Sequence, residues 1–330
     1  MRKPKLESSL ASLGALLLGA LSLGALPLGA IGGCGAAEPQ SAPIAFDPAR
    51  AFRDLEAIVA LGPRPPGSPE LEATRAYIER ELRAAGLAPV REPFEVKPPP
   101  GFKSTPPVES FALANVYADL AAPDPDAETV ILCTHFDTKI HPQRFVGAND
   151  AGSGTAVLLE LARVIASGGP RALRYRFLFL DAEEALRFEW SGDDNTYGSR
   201  HHAAQLVKSR LADRVRCCVL LDLVGDRDLK FLQETYSDRR LNELFGKAAE
   251  GVGLGTYLKG ARQEAKDDHL SFMAVGIPSI DLIDFDYGPD NSYWHTPQDT
   301  IDKCSAESLG VTGRIVLAAL PEIERSFRRK

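Results

Sequence analysis

Little in this sequence suits it to nucleic acid, a thiolate metal centre or a bundle of membrane spans. Its 330 residues carry 38 Lys and Arg against 45 Asp and Glu, a formal charge of −7 with no basic patch, which argues against nucleic-acid binding as the main activity. Five cysteines without a Cys-x-x-Cys spacing offer no thiolate metal site. Beyond the N-terminus, no apolar run approaches the roughly 18–20 residues that cross a bilayer. There is no Gly-x-Ser-x-Gly elbow to expose a serine nucleophile. The Gly251-Val-Gly-Leu-Gly255 stretch follows a helical pattern and does not open one after a strand, so it is no dinucleotide loop. What is there is an ordinary globular balance, 25% charged and 44% hydrophobic, in a chain long enough for one large α/β domain or two smaller ones.

The N-terminus reads as a targeting segment. Arg2, Lys3 and Lys5 form a basic start, and an uncharged Leu/Gly/Ala stretch runs from Leu10 to Ile31. Gly32, Gly33 and Cys34 follow, then a linker rich in Pro, Ala and Ser. That is the plan of an export signal, and a cysteine behind two glycines resembles the lipobox of bacterial lipoproteins. The rival is an uncleaved membrane anchor with an incidental cysteine. The expectation is a signal over 1–33, a lipidated Cys34 and linker over 34–45, and an exported body over 46–330, tethered to the cell envelope. Removing the first 33 residues, with three bases and one acid, leaves 35 bases against 44 acids, so that body is acidic. Its four cysteines, Cys133, Cys217, Cys218 and Cys304, are expected as buried free thiols.

Within the body, amphipathic helices are expected over 47–61 and 68–85, the second with Ser68 as cap and Pro69 at its first position. Nine of the 24 prolines fall between Pro89 and Pro125, so that stretch is extended strand and loop, with its best strand over 111–120. Apolar runs at 129–134, 175–180, 217–224 and 277–283 then alternate with helical patterns at 154–166, 199–211, 238–251, 270–275 and 305–327. Near-continuous apolar strands separated by helices predict an α/β fold, a mixed and mainly parallel central sheet covered by helices on both faces.

The ends of those strands carry the chemistry. The first run ends in Thr134-His135-Phe136-Asp137, and its loop delivers Asn149-Asp150; the second ends in Asp181-Ala182-Glu183-Glu184; the third contains Asp222; a later loop holds Trp294-His295. In open α/β sheets the binding crevice lies outside the carboxyl ends of the strands, so these groups should meet. Carboxylates gathered in one crevice need a cation or protons, and carboxylates mixed with imidazoles suit Zn²⁺. Singly, each has a plain reading: Asp137 as a solvated strand end, Asp150 as a helix cap, His295 as a loop residue. Asp222, between two leucines, needs a buried partner. His201 and His202, opening a helix, are expected to face solvent or cap neighbours, and His141 has no spacing partner.

The order His-x-Asp, Asp, Glu-Glu, Asp, His on alternating elements resembles the zinc aminopeptidase-like (M28-type) superfamily, and within it the glutaminyl cyclases. The matching stretches include Thr134–Lys139, Val146–Asp150, Leu180–Ala185, Tyr197–His201, Leu220–Gly225, Asp267–Phe272 and Tyr293–Thr296. The resemblance covers roughly residues 46 to 326. It implies one zinc per chain, held by Asp150, Glu184 and His295, with Glu183 as acid/base. Asp222 and Asp267 match aspartates hydrogen-bonded with that glutamate, and Asp268 is the alternative register. Trp190 and Trp294 match site tryptophans, although the spacer from Glu184 to Trp190 is about a residue longer than the family pattern. A disulfide of animal relatives is not carried over, because Cys133 has no counterpart near Asp150.

The implied substrates are peptides or proteins with N-terminal glutamine, closed to pyroglutamate with loss of ammonia, by an enzyme expected as a monomer. The runner-up is a zinc aminopeptidase, with His135 and Asp222 holding a second metal. A non-catalytic peptide-binding lipoprotein is a more distant third.

Overall fold

The structure, a computed structural model, describes residues 45–104, 107–141 and 144–328. The expected signal segment, Cys34 and most of the linker lie outside the described residues. Two capped helices open the body. Asp47 caps α1 (Pro48–Leu61) by accepting the amides of Ala49 and Arg50, and Ser68 caps α2 (Pro69–Ala84) by accepting that of Leu71. In each case Pro occupies the first turn, where its missing N–H costs nothing.

The central sheet has six strands in the order β1-β2-β4-β3-β5-β8. Their ranges are β1 Val90–Val96, β2 Phe111–Leu120, β3 Thr129–His135, β4 Arg174–Leu180, β5 Val215–Asp222 and β8 Ser279–Ile283. The first two pairings in that order are antiparallel and the other three parallel. Side chains alternate between faces along each strand, and the central strands are apolar on both. Val130, Leu132, Phe177, Phe179, Val219 and Leu221 join a large core with α1, α2, α3 (Gly154–Ser167), α5 (Arg239–Gly251) and α7 (Ala306–Arg325). Ile131, Cys133, Leu178, Leu180, Cys218 and Leu220 point the other way, toward α4 (Tyr197–Lys208) and α6 (His269–Ala274). A sheet buried on both faces explains why these strands read as continuous apolar runs.

The expected fold class holds, and most element bounds agree within two residues. Three features differ. β1 is an edge strand carrying Pro93 and an alternating exposed pattern; proline confines a strand to an edge and hides it from a reading by apolar runs. A two-residue parallel pair, β6 (Gln233–Glu234) with β7 (Arg262–Gln263), was not foreseen. His202 does not face solvent: it is buried, with Nδ1 2.9 Å from Glu92 and Nε2 3.2 Å from Arg176. His201 stacks on Phe94. All four cysteines of the body are buried and free, and the Cys133 and Cys218 sulfurs lie 3.3 Å apart on neighbouring strands. Among the described residues no helix is long and apolar enough to cross a membrane.

Candidate active site

The parallel strands all point their carboxyl ends the same way, and the acids and imidazoles meet there. β3 ends at His135. The chain then reaches Gly147, whose φ is +53° and where a Cβ would lie 2.1 Å from the Asp150 carbonyl oxygen, so only glycine fits. Asp150 follows in a short π-helical turn over Ala148–Ser153 with non-helical angles of its own. It does not cap α3; the position before that helix is Ser153. Asp299 accepts the amides of Asn149 (2.8 Å) and Asp150 (3.1 Å) and the hydroxyl of Tyr287 (2.6 Å). Buried Arg64 donates to the carbonyls of Phe136, Val146 and Gly147. These two residues pin the Asp150 loop from both sides.

Behind β4, one carboxylate sets the glutamate pair. Asp137 accepts the amide of Glu183 on one oxygen (3.0 Å) and that of Glu184 on the other (3.3 Å), so it is no solvated strand end. The two glutamates turn apart. Glu184 Oε1 faces His295 Nε2 at 3.0 Å, while its other oxygen is 3.5 Å from the buried Lys139 ammonium. Glu183 faces His135 Nδ1 at 3.8 Å. Ala182, Leu223 and His295 all have φ near +50°, a conformation uncommon for non-glycine residues and typical of functional bends.

Among the described residues two groups of donors emerge, each with atoms within 4.8 Å of one another: Asp150, Glu184 and His295, and His135, Asp150 and Asp222. In the first, His295 Nε2 lies 3.3 Å from Asp150 and 3.0 Å from Glu184. Ligands held at about 2.0–2.1 Å around a tetrahedral Zn²⁺ stand about 3.3 Å apart. Glu184 Oε1 is buried without a hydrogen bond, as an oxygen kept for a metal would be. The donors fit zinc. In the second group the spacing is much the same: His135 Nε2 is 3.3 Å from Asp150 and 3.2 Å from Asp222 Oδ1, which also accepts the Leu223 amide.

Electrostatics follow from burial among acids. Burial drives the Glu183 carboxyl well above its ordinary range; His135 opposes this, and Asp267 and Glu184 reinforce it. Burial, with Asp222 and Asp268 nearby, likewise pushes Asp267 well up. Burial raises Asp222 too, against the pull of His135. For His135 burial favours the neutral ring, but Glu183 and the surrounding aspartates carry it well above 6.5.

A cavity of about 550 Å³ opens over these groups and is lined by Asp150, Glu183, Asp222, Asp267, His295 and both tryptophans. Trp190 therefore lines the site despite its longer spacer. Asp267, not Asp268, reaches this cavity; Asp268 is wholly buried at the start of α6. His141 and Lys139 line it as well. Lys139, Asp299 and Arg64 were given no role from sequence. Arg64, between two prolines, and Asp299, four residues after His295, offered only their positions beside turns and motif residues.

Comparison with known proteins points to one family. The profile of "Peptidase family M28" matches residues 115–320. The chain is 31% identical to the glutaminyl-peptide cyclotransferase-like protein of Mus musculus over 292 residues, 78% of this chain and 72% of that one. The crystal structure of an Acidobacteriales bacterium glutaminyl cyclase superposes with a TM-score of 0.79 at 30% identity, covering 88% of this chain and 98% of that one. A Zn-dependent exopeptidase from Parabacteroides distasonis superposes with a TM-score of 0.72 at 26% identity, covering 86% and 100%. The family match over residues 115–320 and these likenesses in sequence and fold place the chain in peptidase family M28, on its glutaminyl cyclase branch.

Proposed function

We propose that this chain cyclises the N-terminal glutamine of peptides and proteins to pyroglutamate with release of ammonia, using one zinc held by Asp150, Glu184 and His295. The observation that carries the reading is the divergence of the glutamate pair. Glu184 turns to His295 inside the donor group, and Glu183 stands beside that group in the same cavity with its carboxyl raised by burial. Bound there, zinc supplies a Lewis acid for the carboxamide oxygen. Glu183 takes a proton from the attacking α-amine and returns one to the departing nitrogen. A new bond forms between the α-nitrogen and the carboxamide carbon, the old carbon–nitrogen bond breaks, and ammonia leaves. Asp267, whose charge acts on Glu183, and Asp222, which holds His135 beside that glutamate, keep protons near the site. Trp190 and Trp294 wall the cavity and limit water, which an intramolecular attack does not need.

One zinc follows from the cyclase reading; the second donor group, His135, Asp150 and Asp222, has the same spacing as the first and is where a second metal would sit in an aminopeptidase. We further infer that residues 46–330 form the catalytic domain of an exported lipoprotein held to the envelope through Cys34, behind a signal over 1–33. Cys34→Ser should abolish lipid labelling and leave a precursor; unchanged labelling and processing would remove the anchor.

The deciding experiment is incubation of the purified protein with a peptide beginning in glutamine, read by mass and by metal content. Loss of one ammonia with about one zinc per chain is expected. A peptide shortened by one residue, together with two tightly held metals, would make the chain an aminopeptidase instead.

A further inference from the structure

A second hollow adjoins the catalytic cavity. It has a volume of about 410 Å³ and shares three walls with that cavity: Trp190, Lys266 and Asp267. From there it runs between α4 and α6. Ala204 and Ala274 stand exposed on its two helices, with Leu270 and Val275 half-buried beside them. Small side chains on both sides leave room for a large apolar one between them. Its polar edge carries two cations, Arg200 and Lys266, outnumbering Asp267 at the junction. The Arg200 guanidinium is anchored on the carbonyls of Asp193 (2.6 Å) and Asn195 (2.7 Å) and lies over the Tyr197 ring. Both hydrogen-bond partners are uncharged carbonyls. Lys266 is exposed at the junction of the two hollows.

Resting on the cyclase reading, we propose that this groove holds the substrate chain that follows the glutamine, favouring an apolar residue there and a carboxylate beyond it. The argument is one of exits. The α-amine and the carboxamide of the glutamine must both lie at Glu183, so only its α-carbonyl can lead outward. The groove is continuous with the catalytic cavity through three shared residues. Apolar contact between Leu270 and Val275 supplies burial, while Arg200 and Lys266 attract an acidic side chain or a C-terminal carboxylate and repel a basic one.

The test compares glutamine amide, which has no following chain, with the tetrapeptides Gln-Leu-Leu-Glu and Gln-Leu-Leu-Lys, on the full chain and on two variants. Ala204→Trp and Ala274→Trp fill the groove from opposite helices at exposed positions. Each should lower kcat/KM for Gln-Leu-Leu-Glu about tenfold, through KM, and leave glutamine amide within about twofold. The parent should prefer the Glu-ended peptide over the Lys-ended one at low salt, and Arg200→Ala should erase that preference. Tetrapeptide kinetics unmoved by both tryptophans, or amide and tetrapeptide falling together in both, would overturn the groove while the cyclase reading stood. A parent that releases ammonia from none of these substrates would overturn the cyclase reading itself, and the groove with it.

Discussion

Trp294 lies face to face on the imidazole of His295, with ring centroids 3.9 Å apart and planes within 21°. Phe285 backs the indole at 4.8 Å, and Phe145 meets the imidazole edge-on at 5.8 Å. The ring that offers Nε2 to the donor group is thus held by aromatic packing more than by hydrogen bonds. Trp294→Ala should weaken zinc binding and raise KM together, each about tenfold. Trp294→Phe, which keeps an aromatic face, should spare the metal and raise KM alone. Chelator competition and steady-state kinetics read the two effects; no change in zinc affinity with Ala would remove the packing role.

Glu183→Gln keeps size and hydrogen bonding but deletes the base. Zinc content and substrate affinity should survive while turnover falls by about 10²–10⁴-fold. Glu184→Gln should lose zinc and activity together. A Glu183→Gln protein without metal, or one at the parent rate, would show the two roles exchanged.

Asp299 touches none of the candidate zinc donor atoms, yet it orders the loop that presents Asp150. Asp299→Ala leaves the amides of Asn149 and Asp150 and the Tyr287 hydroxyl without their acceptor. Zinc affinity should drop about 10–100-fold, as for other supports of metal ligands, with the far-ultraviolet circular dichroism unchanged. Parent-like affinity would mean that Arg64 alone holds the loop.

Glu234 provides a test of acid stability away from the chemistry. Burial would raise its carboxyl, but His269, the amides of Tyr236 and Ala265 and the Ser237 hydroxyl outweigh this and hold it at about 2. A carboxylate depressed below its unfolded value of about 4.3 contributes stability that is present above that value and is lost as pH falls toward 2. Glu234→Gln should therefore lower Tm at pH 7 by an amount that shrinks steadily between pH 4 and pH 2. A deficit independent of pH would assign the effect to packing.

What could be read from the sequence was whatever sits at the end of an apolar run. His135, Glu183, Glu184 and Asp222 each interrupt or follow a buried strand, where an ionisable side chain stands out against its neighbours. Their supports do not stand out. Asp299 meets Asn149 from 150 positions away, and His202 owes its burial to Glu92, 110 positions away. Nothing local marks such partners, because burial is decided by the packed sheet and not by flanking residues. Asp137 shows the limit: a strand-end acid looks alike whether it is solvated or holds two amides. The same reason left β1 unplaced within the extended 89–125 stretch, where Pro93 and an exposed face gave it no apolar run.

The three left-handed bends at Ala182, Leu223 and His295 set heat tolerance against turnover. Each strains an ordinary side chain by roughly 1 kcal/mol. Glycine would relieve this at Ala182 with little packing lost. At Leu223, fully buried among Leu232, Ala265, Ile283 and Tyr287, the cavity would cost more than the strain. Selection for survival at high temperature alone would therefore drift toward Ala182→Gly. That exchange, however, loosens the joint that aims Glu183, the direction in which strained sites trade activity for robustness. A lineage of this enzyme in hot surroundings should therefore gain its robustness elsewhere, in loops and on the outer surface, and leave these three joints unrelaxed.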